Sequence, residues 1–145
     1  MRRARRVAPP PAKPAGYSGT PLVAKLGIMT GARIQLVGAP ADFDETLGDM
    51  PEAVKPVATG TLDFAMLFVR RKSDLEKRFA RLRDRLESDG MLWIAWPKKT
   101  SGVDTDLSEA IVRGIGLDAG LVDVKVCAVD HTWSGLKFVR RLRDR

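Results

Sequence analysis

The sequence predicts a three-layer α/β domain with a mostly parallel sheet and an antiparallel hairpin at its C-terminal edge. Two almost continuous apolar runs, LDFAMLFV (62–69) and MLWIAW (91–96), are typical of parallel strands that are covered on both faces. In two later segments, VDVKVCAV (122–129) and GLKFVRR (135–141), apolar and polar residues alternate, which favours a hairpin. A chain of 145 residues has room for one such domain and its core.

The segment between the two apolar runs predicts an amphipathic helix. Its apolar stripe consists of Leu75, Phe79, Leu82 and Leu86. Ser73 and Glu76 have the spacing of a capping box, and Gly90 stands where the helix is expected to end. A strand, a helix and a second parallel strand make a βαβ unit with a right-handed crossover.

Shorter elements are expected before this unit. Thr20 and Pro21 predict the N-cap and first position of a short helix. ARIQLV (32–37) predicts a strand and ADFDETLG (41–48) a short helix. AVKPVA (53–58) predicts a weak strand at the edge of the sheet, because its proline cannot donate a ladder hydrogen bond.

A second helix is expected after the run MLWIAW. Either Thr105 or Asp106 is its predicted cap, and Gly120 its end. Its predicted inner face consists of Leu107, Ile111 and Ile115.

The net charge of +7 is concentrated at the two ends of the chain. Residues 1–16 hold four arginines, one lysine and no acid, and residues 140–145 hold four arginines and one aspartate, so the interior carries about −1. The first segment also contains four prolines and no apolar run, which predicts a disordered basic tail. The domain is then expected over 17–141, followed by a short basic tail over 142–145.

The numbers of cysteines and histidines and the hydropathy of the chain exclude several kinds of site and of protein. The one cysteine, Cys127, excludes an internal disulfide and a cysteine zinc cluster, and the one histidine, His131, excludes a site with two imidazoles. No run approaches the roughly 18 apolar residues of a membrane span. We therefore expect a cytoplasmic protein that holds no metal and does not enter a membrane.

Cations follow two neighbouring parallel strands at their carboxyl ends, where open α/β sheets bind ligands. Helices that begin beside them add free N–H donors and partial positive charge. We therefore predict an anion-binding rim for a phosphate, a carboxylate or a nucleic-acid backbone. The predicted rim consists of Gly38, Arg70, Arg71, Lys98, Lys99, Thr100, Ser101 and Gly102.

An alternative interpretation of the rim is that its cations bind no ligand and only keep two loops in solution. Three acids would also neutralise part of its charge: Asp74, Asp104 and Asp106. Trp96 at the end of its strand and Trp133 in the loop DHTWSG (130–135) are predicted to line a pocket beside the rim. Packing against a helix or the sheet is the alternative for both.

The loop DHTWSG contains Asp130, His131 and Ser134, the residue types of a catalytic triad. Neighbours in a tight hairpin cannot easily point at one another in nucleophile, base and orienter order, and nothing indicates an oxyanion hole. Cys127 alternates onto the face opposite Val126 and is expected to be a small buried residue. No catalytic residue is therefore predicted.

The order of elements resembles the C-terminal half of class I S-adenosylmethionine-dependent methyltransferases. Three strings, GYSGTPLVAKLGI, LWIAWPKKTSG and VDVKVCAVDHTWSGLKFVRR, look like a family of small bacterial proteins known as domain of unknown function 3052. That resemblance covers about residues 16–141, and WPKK and TWSGLKFV are its most specific strings. It implies a Rossmann-like fold and carries no established activity.

Both cofactor signatures of such methyltransferases are missing. The turn VGAPADF holds one glycine where a glycine-rich loop is expected, and VATG holds no acid for the ribose hydroxyls. We therefore expect no cofactor.

Three functions remain open. The first is a non-catalytic binding or regulatory module with an anionic ligand or partner at the rim. The second is a methyltransferase-like enzyme with an altered cofactor loop. The third is a nucleic-acid-associated protein that acts through its basic tail. The hairpin edge is a candidate surface for a homodimer.

Overall fold

Residues 20–145, the part of the chain that the computed structural model describes, contain six strands and four α-helices. The predicted tail over 1–16 lies outside the described residues. In chain order the elements are α1 (Leu22–Leu26), β1 (Arg33–Val37), α2 (Phe43–Leu47), β2 (Lys55–Pro56), β3 (Leu62–Phe68), α3 (Lys72–Arg85), β4 (Leu86–Pro97), α4 (Glu109–Asp118), β5 (Leu121–Ala128) and β6 (Trp133–Arg140). Short 3₁₀ turns follow at Lys99–Ser101 and Leu142–Asp144.

The strands form one sheet in the order β2-β1-β3-β4-β6-β5. The first four strands are parallel, and β6 pairs antiparallel with both β4 and β5. This confirms the predicted mostly parallel sheet with an antiparallel hairpin at one edge. After β1 the chain continues to β2 on one side and then returns to β3 on the other, so the strand order switches between β1 and β3.

Helices cover the sheet on both faces. The α3 and α4 helices pack over Leu92, Ile94 and Trp96, and α1 and α2 pack over Trp93 and Ala95. The two tryptophans therefore point to opposite faces of β4, as the period of two along a strand predicts.

The boundary between α3 and β4 differs from the prediction. The helix ends at Arg85, and the strand begins at Leu86, four residues before the predicted stop at Gly90. The register passes from a pair at Leu62 to a pair at Phe64 while β4 advances five residues, so residues 87–90 form a bulge. A Cβ on Gly90 would lie 2.9 Å from the carbonyl oxygen of Leu62. This glycine therefore serves the close approach of two strands and not a helix end.

The predicted capping box of α3 is wrong. The N-cap residue is Arg71, and the helix starts at Lys72, so Ser73 lies inside the first turn. The cap comes from a distant loop, because the Asp106 carboxylate accepts a hydrogen bond of 2.8 Å from the N–H of Lys72.

The predicted starts of α4 and α1 are also displaced. The α4 cap is Ser108, whose hydroxyl accepts a 3.3 Å hydrogen bond from the N–H of Ile111. Thr105 is not free for that role, since its hydroxyl donates to a carbonyl at the end of β3. In α1, Pro21 and not Thr20 is the N-cap residue.

The inner face of α4 is centred on Val112 and Gly116, which are buried. The residues predicted for that face are Leu107, Ile111 and Ile115; Leu107 is buried ahead of the helix and the two isoleucines pack at its sides. The face is therefore rotated toward its smallest residue, which allows α4 to approach β6 closely.

Acid–base pairs lie at the start of β1. Arg33 donates from both its backbone N–H and its guanidinium to Asp63, each at 2.9 Å, and to Glu87 at 3.1 Å. The hydrogen bond from the Arg33 guanidinium is the main reason that the pKa of Asp63 is lowered.

An Asp63→Asn variant is expected to melt several degrees below the wild type at neutral pH. Because the pKa of Asp63 is lowered in the folded state, its contribution to stability is present above the ordinary value of 3.8 and is lost as the pH falls through the folded value. The difference between the two proteins should therefore close below about pH 3.8. Thermal melts across this range test it, with Asp89→Asn on the exposed bulge as the control. A gap that persists at low pH would contradict the ionic origin.

Candidate functional site

A cleft of about 440 Å³ opens where the strand order switches, between the carboxyl end of β1 and the start of α3. We call it the switch-point cleft. Its polar lining comes from Gly38, Arg70, Arg71, Asp74 and Arg78. Three of these belong to the predicted rim, so the structure brings the β1 and β3 parts of the rim together.

Gly38 is required by packing within the fold. Its φ is +73°, and a Cβ at this position would lie 2.9 Å from the carbonyl oxygen of Phe68 on β3. Both observations exclude other residues without reference to a ligand. The glycine thus sets the shape of the cleft by keeping the β1 turn against β3.

The segment 104–106, here called the strap, neutralises part of the predicted charge. The Asp104 carboxylate is paired with the Arg71 guanidinium, and this hydrogen bond raises the pKa of Arg71. Thr105 donates to the carbonyl oxygen of Arg70 at 2.7 Å, and Asp106 takes the first N–H of α3. An anion at this end of α3 would meet carboxylates already in place.

Two guanidinium groups of the cleft remain without a hydrogen-bond or ion-pair partner within residues 20–145, those of Arg70 and Arg78. The sequence interpretation missed Arg78. Its signal is the spacing of Arg71, Asp74 and Arg78, which are three and four residues apart and so share one face of a helix. The free positive charge of the cleft therefore comes from β3 and α3.

The loop after β4 does not line this cleft. It contains the other five residues of the predicted rim: Lys98, Lys99, Thr100, Ser101 and Gly102. The N–H of Lys98 donates to the carbonyl oxygen of Thr132 in the hairpin at 2.7 Å. The Ser101 hydroxyl donates to the carbonyl oxygen of Lys98 at 2.6 Å and accepts from Val103. The bond to Thr132 holds the start of the loop against the β5–β6 hairpin, and the bonds of Ser101 close the loop on itself. None of the five residues lines the cleft.

The two tryptophans predicted to line a pocket have packing roles. Trp96 is 5% exposed and lies in the core between the sheet, α3 and α4. Trp133 is half-buried and packs edge-to-face on Phe68, with ring centroids 5.1 Å apart. Neither side chain lines the switch-point cleft.

Asp130 has a structural role in the hairpin turn. The Asp130 carboxylate accepts hydrogen bonds of 2.8 Å from the N–H groups of Thr132 and Trp133, which makes it a turn-forming residue. His131 is exposed, and the Cys127 thiol is buried with its pKa raised by that burial. Within the described range no three His, Cys, Asp or Glu side chains cluster as metal ligands, and no helix there has the length and hydropathy to span a membrane.

A second cavity, of about 660 Å³, lies beside the edge strand β2. Its walls are mostly apolar and come from Ile34 and Leu36 on β1, Leu47 and Met50 near α2, and Val57 after β2. Short elements here leave part of β1 uncovered. The sequence interpretation did not predict this cavity, because burial between two short elements leaves no periodic signal.

Several solved methyltransferase structures are similar to this chain in fold. An S-adenosylmethionine-dependent methyltransferase from Aquifex aeolicus superposes with a TM-score of 0.55 at 14% identity, over 81% of this chain and 86% of that one. Aeropyrum pernix fibrillarin, with natively bound S-adenosylmethionine, gives 0.54 at 15% identity over 81% and 73%. Synechocystis magnesium protoporphyrin IX methyltransferase, with bound SAH, gives 0.53 at 14% identity over 83% and 78%.

This chain has a methyltransferase-like Rossmann fold. Identities this low establish the fold and no more. No protein-family model matches the sequence, and no curated protein sequence matches it. In a methyltransferase-like fold, as in other open α/β sheets, the crevice at the switch in strand order is the expected ligand position. The cleft beside Gly38 occupies that position here.

Proposed function

We propose that this chain binds S-adenosylmethionine in the switch-point cleft and acts as a methyltransferase-like protein. The observation that carries the proposal is the fold it shares with proteins solved with this cofactor or SAH, over more than 80% of its length. A cleft of about 440 Å³ is within the usual size of small-molecule sites.

The polar groups of the cleft suit the amino-acid end of this cofactor. Arg70 and Arg78 would hold its carboxylate, and the Asp74 carboxylate would accept hydrogen bonds from its ammonium group. When bound, the cofactor supplies an electrophilic methyl group. The adenosyl end finds weaker support, because VATG after β2 offers no carboxylate for the ribose hydroxyls.

That gap favours a second candidate, a non-catalytic module that binds a simple anion. Two guanidinium groups without a partner in the described part of the chain suit a phosphate or a carboxylate of any small molecule. In this second candidate function the same residues hold the ligand, and the protein has a regulatory or carrier role without methyl transfer.

Arg78→Gln is expected to weaken S-adenosylhomocysteine binding about tenfold, the effect of losing one charge-assisted hydrogen bond at a partly exposed site. Isothermal titration calorimetry measures it. The matched control is Arg81→Gln, which removes a charge from the exposed surface of the same helix outside the cleft. Methylthioadenosine, which lacks the amino-acid end, should bind equally well to the wild type and to Arg78→Gln.

Inorganic phosphate separates the two candidates. Binding of phosphate that depends on Arg78, with no binding of either adenosyl compound, would favour the anion module over the methyltransferase-like protein. If all three compounds fail to bind, or if Arg81→Gln has the same effect as Arg78→Gln, the cleft assignment is wrong.

Two further points remain proposals. Membership of the bacterial family known as domain of unknown function 3052 is supported by the strings WPKK and TWSGLKFV. A cytoplasmic location is supported by the single cysteine, Cys127, which is buried as a free thiol.

A further inference from the structure

The cavity of about 660 Å³ beside β2, here called the edge cavity, lies against a strand that is paired on one side only. The strand β2 has two residues and pairs only with Arg33 and Ile34. The rest of β1, from Gln35 to Val37, pairs with β3, and within residues 20–145 no strand lies on its other side. An open edge of this kind offers backbone N–H and C=O groups to an added chain.

The edge cavity combines apolar walls with an acidic border. Asp44 lines it, and the surrounding segment 41–55 contains five acids and one lysine, a net charge of −4. The side chains of Asp42, Asp44 and Glu45 are exposed and have no hydrogen-bond or ion-pair partner within residues 20–145. An occupant that matches this cavity therefore carries an apolar side chain between positive charges.

The chain contains a segment with these two properties. Leu142 is 80% exposed, the largest value among the large apolar side chains of residues 20–145. It belongs to segment 141–145, which contains three arginines and one aspartate. Within the described chain the Arg141 guanidinium has no hydrogen-bond or ion-pair partner. The exposed leucine and its arginines thus complement the walls and border of the edge cavity.

Within one copy the segment lies at a different place. It follows β6, which is three positions from β1 in the sheet. Arg140, just before it, donates to the carbonyl oxygens of Arg83 and Leu86 where α3 meets β4. No residue of 141–145 lines the edge cavity of its own copy.

We propose that segment 141–145 of one copy docks at the edge cavity of a second copy, with Leu142 in the cavity and the arginines against Asp44 and Glu45. Reciprocal docking of two segments closes a dimer, whereas docking in one direction adds copies in a row. A single short segment buries less area than a stable interface needs, so the association is expected to be weak. It should also weaken as salt is added, because part of it is electrostatic.

This interface is separate from the proposed cofactor site. The edge cavity shares no lining residue with the switch-point cleft. Self-association is measured without any cofactor, so failure of this proposal and failure of the proposed function are distinguishable.

Sedimentation equilibrium of the whole 145-residue chain at several protein concentrations tests the proposal. Leu142→Ser is expected to weaken self-association about tenfold, the effect of losing one buried leucine side chain. Ala58→Trp adds bulk to the edge cavity from an exposed position and should weaken it as well. Leu117→Ser, which changes an exposed leucine on α4, is the matched control and should have no effect.

Charge reversal gives a second, independent test. One variant combines Asp44→Lys with Glu45→Lys, and the other combines Arg141→Glu with Arg143→Glu. Each alone should associate more weakly than the wild type. A mixture of the two should associate more strongly than either alone, because an acidic segment then meets a basic border.

Recovery in the mixture, together with the loss in Leu142→Ser, supports docking of the segment at the edge cavity. A wild type that stays monomeric at its highest soluble concentration overturns the proposal. Self-association that is unchanged by Leu142→Ser and by both charge reversals also overturns it, since the copies then meet at another surface. A mixture that associates no better than its components has the same meaning.

Discussion

Gly116→Ala is expected to lower the free energy of unfolding by about 3 kcal/mol, the upper part of the range for overpacking a core. A Cβ at this position would lie 2.0 Å from Cε1 of Phe138, far inside van der Waals contact. The Phe138 ring cannot easily withdraw, because it is fully buried and packs edge-to-face on Phe79 with centroids 5.5 Å apart. The helix α4 would have to move away from β6. Urea denaturation measures the loss.

The same helix offers a matched control. Apart from the backbone of its own helix and its chain neighbours, Gly114 has no atom within 4 Å of the position that its Cβ would take. Gly114→Ala is therefore expected to stabilise the protein by about 0.5–1 kcal/mol, through the smaller entropy of the unfolded chain. Adding Phe138→Leu to Gly116→Ala should recover part of the loss. Equal effects of the two glycine substitutions would show that α4 does not approach β6 at Gly116.

Trp93→Ala is expected to lower the free energy of unfolding by about 3–5 kcal/mol, the usual effect of deleting a large buried aromatic side chain. Trp93 is fully buried, and its indole N–H donates a 2.8 Å hydrogen bond to the carbonyl oxygen of Leu26. The side chain thus fills the core under α1 and also fixes the end of that helix. Thermal and urea denaturation measure the total loss.

Trp93→Phe separates the two contributions. It keeps most of the apolar volume but leaves the carbonyl oxygen of Leu26 without its donor, at a cost of about 1–3 kcal/mol. Hydrogen exchange should increase in residues 22–28 for both variants. Unchanged exchange there, together with a loss confined to the sheet, would contradict the anchoring role of the indole.

The sheet could be predicted from the sequence because its signals are local. Continuous apolar runs identify β3 and β4, and alternation identifies β5 and β6. The positions of Trp93 and Trp96 on opposite faces follow from their separation by three residues in a strand. The edge position of β2 follows from Pro56, and it is confirmed.

Helix starts were predicted poorly because their hydrogen-bond partners are distant in sequence. The sequence predicts either Thr105 or Asp106 as the cap of α4, the helix that follows them. Asp106 instead caps α3, at a residue 34 positions earlier in the chain. The stripe that ends at Leu86 satisfies a helical spacing, but the chain is extended there and joins β3. In both cases the local pattern allows more than one boundary for a helix, and tertiary contacts determine which one forms.

The candidate site was predicted in part. Strand ends identified Gly38, Arg70 and Arg71, which line the cleft. The position of a loop after a parallel strand does not predict which way the loop turns. A hydrogen bond joins Lys98 to the hairpin, and neither Lys98 nor the four residues after it line the cleft. Arg78 required knowledge of which helical face borders the cleft.

The cap of α3 has a consequence for the order of folding. The helix leaves the ribosome before the residue that completes its first turn, because Asp106 follows β4 in the chain. Until β4 pairs with β3 and the strap closes, the start of α3 has one backbone donor fewer satisfied by protein and must rely on water. Completion of this helix, a short-range element, is therefore tied to a long-range closure that also holds Arg70 and Arg71 at the cleft.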